Sequence, residues 1–127
     1  MQIIISNYSD VPIYEQIKSQ IKTAIIAQKI KAGELLPSMR QLAKDLQVSV
    51  ITTSRAYKEL EEEGLVALVQ GKGCYVLPQN PQLLQEETLR NVEDCFSKAI
   101  NMARLVGISA KDLKELLNLL MEEENYE

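Results

Sequence analysis

Arg40, Arg55 and Lys72 are the side chains best suited to chemistry in this sequence, and that chemistry is the binding of anions. Each arginine carries a planar fork that can grip phosphate oxygens or the O6/N7 edge of guanine through two parallel hydrogen bonds. Lys72 lies between Gly71 and Gly73, where the absence of flanking side chains lets a cation come close to a groove or a backbone. Ser49 and Thr52 stand at the start of a predicted helix, so hydroxyl, free amide and helix dipole all favour a phosphate there. Ser38 opens an earlier helix, and Val50, Ile51, Thr52, Ser54 and Arg55 share the exposed early face of the helix that Ser49 begins.

Catalysis finds little support. The chain has no histidine, so the commonest general base is missing, and its acids fall on helical faces without a nucleophile or metal set beside them. No catalytic, cofactor or metal residues are expected. Cys74 and Cys95 are widely spaced and read as small buried or half-buried thiols rather than a disulfide or a metal pair.

The elements that position the anion-binding groups follow from local pattern. Ser38-Met39-Arg40-Gln41 has the form of a capping box, in which the Ser38 hydroxyl bonds the Gln41 amide and the Gln41 side chain reaches back. The predicted helix runs to about Leu46 with Leu42, Ala43 and Leu46 inward and Arg40 and Lys44 on another side. A second start at Ser49 leads a helix to about Glu63 that buries Thr53, Ala56, Tyr57 and Leu60. The short turn between the two is the connection a helix-turn-helix requires. Gly64 ends the second helix, and the acids Glu61, Glu62 and Glu63 keep that end away from phosphates, so its N-terminal half is expected to meet DNA. Residues 65–69 and 74–77 are strand-like, and Gln70-Gly71-Lys72-Gly73 between them supplies a hairpin turn.

Ahead of this region, Ile3, Ile4 and Ile5 suggest a short strand, and Ser9 or Asp10 is expected to cap a helix whose first turn contains Pro12. Ile13, Ile17, Ile21 and Ile25 give that helix a core-facing stripe to about Gln28, and Gly33 and Pro37 break the chain after it. Behind it, Pro78 and Pro81 mark a boundary. Leu84, Leu89, Val92, Phe96, Ile100 and Ala103 line one amphipathic helix, and Leu113, Leu116, Leu117 and Leu120 line another after Gly107 and Ser109. Two such helices cannot cover both apolar faces by themselves, so a second copy of the chain is expected to cover the seam. The fold class is thus mainly α with a small β-hairpin: a winged helix-turn-helix at 1–78 and a two-helix dimerisation module at 79–127.

Charge divides at the same place. The net charge is −4 and the apolar fraction 46% over 127 residues. Nine bases meet eight acids before Pro78, whereas ten acids meet five bases after it. A near-neutral front with local basic patches and an acidic rear would orient the molecule on a polyanion. No apolar run reaches the ~18 residues of a membrane span, so no membrane partner is expected and the location is expected to be cytoplasmic.

Five motifs in order resemble the GntR family of bacterial transcription regulators: Pro12-Ile13-Tyr14-Glu15-Gln16-Ile17, then Ala32-Gly33-Glu34-Leu35-Leu36-Pro37-Ser38-Met39-Arg40-Gln41-Leu42-Ala43, then Arg55-Ala56-Tyr57-Lys58-Glu59-Leu60-Glu61, Glu63-Gly64-Leu65-Val66 and Gly71-Lys72-Gly73. The short helical rear is similar to the YtrA subfamily. The resemblance implies a homodimeric repressor on double-stranded DNA, often beside transporter genes. By position it implies DNA contacts at Arg40, Ser49, Thr52, Arg55 and Gly71-Lys72-Gly73. Val50 replaces a residue that is often polar or basic in the family, and Met39 one that is often acidic. Val50 and Ile51 suit thymine methyl groups, which predicts an A·T-leaning half-site. A small-molecule effector would act in a small groove at the domain or dimer junction. The competing reading is a winged helix that binds protein; steep weakening by salt distinguishes DNA binding from it.

Overall fold

A computed structural model of the chain describes residues 2–126. The element order is α1 (Ile13–Ile26), α2 (Met39–Leu46), α3 (Val50–Glu62), β1 (Val66–Val69), β2 (Gly73–Val76), α4 (Pro81–Leu105) and α5 (Ala110–Glu123). These form two compact units, the first running to Pro81 and the second beginning at Gln82.

The first unit is built on the isoleucine stripe of α1. Ile17, Ile21 and Ile25 are buried and meet Leu42 of α2, Ala56, Tyr57 and Leu60 of α3, and Val66, Cys74 and Val76 of the hairpin in one core. Spacing of three and four residues puts each helical set on one face, which is why the buried positions of α3 are Thr53, Ala56, Tyr57 and Leu60 as the periodicity requires. Between α2 and α3 the backbone reverses at Gln47, whose φ of 57° is left-handed. The result is the expected helix-turn-helix.

The hairpin is antiparallel, with Val66 opposite Val76 and Leu68 opposite Cys74 on the core side. At its tip the Lys72 amide donates to Val69 O over 3.0 Å, and Gly71 and Gly73 take φ values of 78° and 113°. A Cβ on Gly73 would also lie 2.9 Å from Leu35 Cδ1, the end of an exposed side chain that can move aside, so it is the positive φ that calls for glycine there. The break expected at residues 30–37 hides a third strand-like partner. Gly33 N donates to Val76 O (2.8 Å), Val76 N to Glu34 O (2.9 Å) and Leu36 N to Cys74 O (2.8 Å), with a Leu35–Tyr75 bridge between them.

Four local expectations are corrected. Residues 3–5 form no strand. Their backbone is held instead by side-chain amides of α1: Gln20 accepts from Ile4 N (2.9 Å) and donates to Ile4 O (2.6 Å), and Gln16 does the same at Ser6. Pro12, not Ser9 or Asp10, is the N-cap of α1 and supplies no side-chain cap, while the Ser9 hydroxyl accepts from Val11 N at 3.1 Å. The Ser38 hydroxyl accepts from Gln41 N at 3.0 Å as expected, but the Gln41 side chain turns forward to Asp45 at 2.7 Å and leaves the capping box half made. Of the two thiols, Cys74 is buried and Cys95 is exposed, against the expectation for Cys95. Burial pushes the Cys74 thiol up to about 11, so it stays protonated and unreactive at neutral pH.

The second unit consists of α4 and α5, joined through Gly107 (φ 74°) and capped at Ser109, whose hydroxyl accepts from Asp112 N at 3.1 Å. The apolar positions of the two helices stay open. Leu89, Val92, Phe96, Ile100, Leu116, Leu117 and Leu120 are all exposed, Phe96 to 48%. Among its described residues only Ala103 is buried.

Candidate nucleic-acid interface

The exposed polar and apolar groups nominated from sequence gather on α2, α3 and the hairpin of the first unit. Arg40 is exposed at the second residue of α2. Its helix start is bound to α3 by two side chains: Thr53 Oγ1 donates to Met39 O at 2.8 Å and the Tyr57 hydroxyl to Pro37 O at 2.6 Å. Buried hydroxyls that donate to loop carbonyls rigidify a junction, since leaving such a carbonyl unpaired costs ~1–3 kcal/mol. Arg40 therefore projects from a fixed base.

Ser49 caps α3 by accepting from Thr52 N at 3.2 Å, and its hydroxyl shares a further hydrogen bond of 3.0 Å with Thr52 Oγ1. Ser38 serves α2 likewise. These hydroxyls are engaged in capping Gln41 N and Thr52 N, which leaves the earlier, uncapped amides of each helix start as the groups available to an anion. Ile51 is 81% exposed and Val50 is exposed beside it, while Thr52 and Ser54 are half-buried. An isoleucine this open has no structural work, so the apolar tip is available to a partner. Lys58 is also exposed, one turn after Ser54 and Arg55. Sequence reasoning passed over it, although its spacing of four from Ser54 places it on the same side of α3.

Arg55 is not free. Its guanidinium lies over the Tyr14 ring of α1, 3.7 Å from the centroid, and Nε donates to Glu59 Oε2 at 3.2 Å. Glu59 is in turn 3.1 Å from Lys18 Nζ, which is 2.8 Å from Glu63, and Glu63 is 2.9 Å from Lys22. Lys18 and Lys22 had counted toward the basic balance of the front half. The structure places them in ion pairs with α3 instead. The acids that the sequence set against phosphates at the end of α3 are partly neutralised, and Glu61 accepts the Leu68 amide at 2.8 Å, tying β1 to α3.

This ladder shifts its members. The Glu63 and then Glu59 hydrogen bonds, working against burial, push the Lys18 ammonium above its ordinary value. For Glu63 burial acts upward, and the Lys18 and Lys22 ammonium groups outweigh it, leaving the carboxyl below the usual range. Lys18, opposed by burial and helped by Arg55, holds Glu59 low as well. Depressed carboxylates stabilise the fold above the unfolded glutamate value, and that contribution disappears as pH falls through the folded values. Lys18→Met is therefore expected to lower the thermal midpoint by roughly 2–6 °C at pH 7. The deficit should shrink on acidification below about pH 4. Melting curves from pH 3 to pH 7 measure it; a deficit that is constant over that range would contradict the ladder.

The glycine-flanked Lys72 stands exposed at the hairpin tip. Among the described residues no cluster of Cys, Asp and Glu could hold a metal ion, and no helix is long and apolar enough to cross a membrane.

This fold is shared with known proteins. The family model for bacterial regulatory proteins of the gntR family matches residues 13–76. Over 107 residues the chain is 35% identical to the HTH-type transcriptional repressor YtrA of Bacillus subtilis, covering 84% of this chain and 82% of that protein. A GntR family transcriptional regulator from Listeria monocytogenes superposes with a TM-score of 0.69 at 29% identity, over 90% of this chain and 97% of that one. The DNA-binding domain of AraR, solved in complex with operator ORX1, superposes with a TM-score of 0.51 at 32% identity over 60% of this chain and 90% of its own.

Proposed function

This chain belongs to the gntR family of bacterial regulatory proteins and is a DNA-binding transcription regulator rather than an enzyme; from that premise we propose that it is a homodimeric repressor of a two-fold operator. The observation that carries the dimer is the open apolar face of α4 and α5, from Leu89 through Phe96 and Ile100 to Leu120. Contiguous apolar surface of this kind is costly in water, and a second copy presenting the same face covers both at once. Each copy then supplies one reader, and two-fold DNA sites match two-fold proteins at half-sites roughly 34 Å apart.

Within each reader, Arg40, Arg55 and Lys72 supply the charged contacts and Val50 and Ile51 the apolar ones. Ser38, Ser49 and Thr52 stand at the helix starts, where the amides that capping leaves free hold phosphates, Ser54 borders the same face, and Gly71 and Gly73 let Lys72 approach. Repression is supported by the kinship to YtrA of Bacillus subtilis, and operator binding by the AraR domain solved with its own operator. The family resemblance makes transport genes near its own the first targets to test. A small effector would act by changing the spacing of the two readers.

Selection of binding sites from random duplex DNA tests the reading. The expected consensus is an inverted repeat whose half-sites contain A·T pairs, because Val50 and Ile51 meet thymine methyl groups. A consensus with one undivided site would remove the dimer, and one made of G·C pairs alone would remove the methyl contacts.

A further inference from the structure

Tyr14 lies on α1, outside the helix-turn-helix, yet its ring carries the guanidinium of Arg55 at 3.7 Å. A cation held against an aromatic face is attracted by the ring quadrupole and loses much of its freedom to rotate. Glu59 adds a second restraint in the plane of the fork by taking Nε at 3.2 Å. Lys18 fixes Glu59 from the far side at 3.1 Å, so the carboxylate is itself held in place. Ring below and carboxylate at the Nε edge leave the end of the fork, the Nη1 and Nη2 groups, without an acceptor among the described residues. The Arg55 side chain is nevertheless 60% exposed. A long, open arginine would ordinarily sample many rotamers and lose that freedom on binding. Here that loss is largely met before any partner arrives.

We infer that Tyr14 is a positioning residue for operator binding, holding Arg55 over its ring while Glu59 takes the Nε edge, so that the fork meets a phosphate or a guanine end-on. The inference rests on the reading of Arg55 as a DNA contact. It separates the aromatic face, which does the positioning, from the Tyr14 hydroxyl, which takes no part. It also gives α1 a part in recognition that the helix-turn-helix motif does not contain.

The test uses the full chain and a duplex carrying the sequence it selects from random DNA. Tyr14→Leu keeps apolar bulk against the core but removes the π face, and it is expected to weaken binding about five-fold. Tyr14→Phe should stay within about two-fold of the parent protein. Arg55→Ala should weaken binding more than Tyr14→Leu does, and adding Tyr14→Leu to Arg55→Ala should cost nothing further, since the ring then has no cation to hold. Unfolding midpoints of all variants are measured alongside, and binding is compared well below the lowest. If Tyr14→Leu binds like the parent, or if its loss persists in the Arg55→Ala background, the positioning role is overturned while Arg55 stands as a contact on its own result. If Arg55→Ala itself has no effect, the reading of Arg55 fails and the positioning role fails with it.

Discussion

Arg40→Ala is expected to weaken binding to the selected operator by roughly 10- to 100-fold, the cost of ~1–3 kcal/mol that attends loss of a bidentate arginine contact. The size of the effect follows from how Arg40 is mounted. Ser38 caps its helix through Gln41 N, Thr53 holds Met39 O and Tyr57 holds Pro37 O, so the first turn of α2 is fastened at three successive residues. A contact delivered from so fixed a base cannot be replaced by a small shift of the chain. Anisotropy titrations at several salt concentrations identify what it touches. Loss of a phosphate contact weakens all sequences alike and lowers the salt slope by about one, whereas loss of a base contact relaxes preference at one position. Lys72→Ala, on a hairpin tip, should act in the first of these ways. Affinity and slope unchanged in both variants would mean that DNA meets another surface.

Tyr57→Ala is expected to destabilise the first unit by about 3–5 kcal/mol, near the whole stability of many small domains. Tyr57 is fully buried, and it touches the core with its ring while its hydroxyl reaches Pro37 O at 2.6 Å. Tyr57→Phe separates the two roles. It keeps the ring and strands the carbonyl, for an expected loss of about 1–3 kcal/mol. Burial, with a smaller contribution from Cys74, pushes the Tyr57 phenol above its ordinary range. A phenol raised in the folded state stabilises below the unfolded value, near pH 10, and loses that contribution as pH rises further. The gap between Tyr57 and Tyr57→Phe should therefore narrow above about pH 10. Chemical denaturation from pH 7 to pH 11 measures both effects, and a gap that widens with alkali would refute the burial account.

The two predictions concern one junction, where α3 holds the start of α2. Its hydrogen bonds were not legible in the sequence. The spacing of Thr53 and Tyr57 marked them as inward-facing, but a hydroxyl facing inward has no assigned acceptor until the loop carrying Pro37 is laid beside it. The same holds for Gln16 and Gln20. They read as ordinary polar positions between the isoleucines of α1, and the fold uses them as substitutes for a neighbouring strand along residues 3–6.

What the sequence determined by itself was what short range can encode. Isoleucines four apart, the serines at 38, 49 and 109, and the glycines at 64, 71, 73 and 107 specified the main helices and the hairpin, because periodicity and capping act within about one helical turn. Five ordered motifs were enough to point to the family. Tertiary structure alone decided the partners of the charges. Lys18 meets Glu59 and Lys22 meets Glu63 across 41 residues each, so part of the basic balance counted from sequence is paired within the protein, and Arg55 meets Tyr14 on α1. Local spacing shows only that a charge is on a helix surface. Which opposite charge or ring lies within its reach depends on how α1 packs on α3, and that packing is set by the shared core.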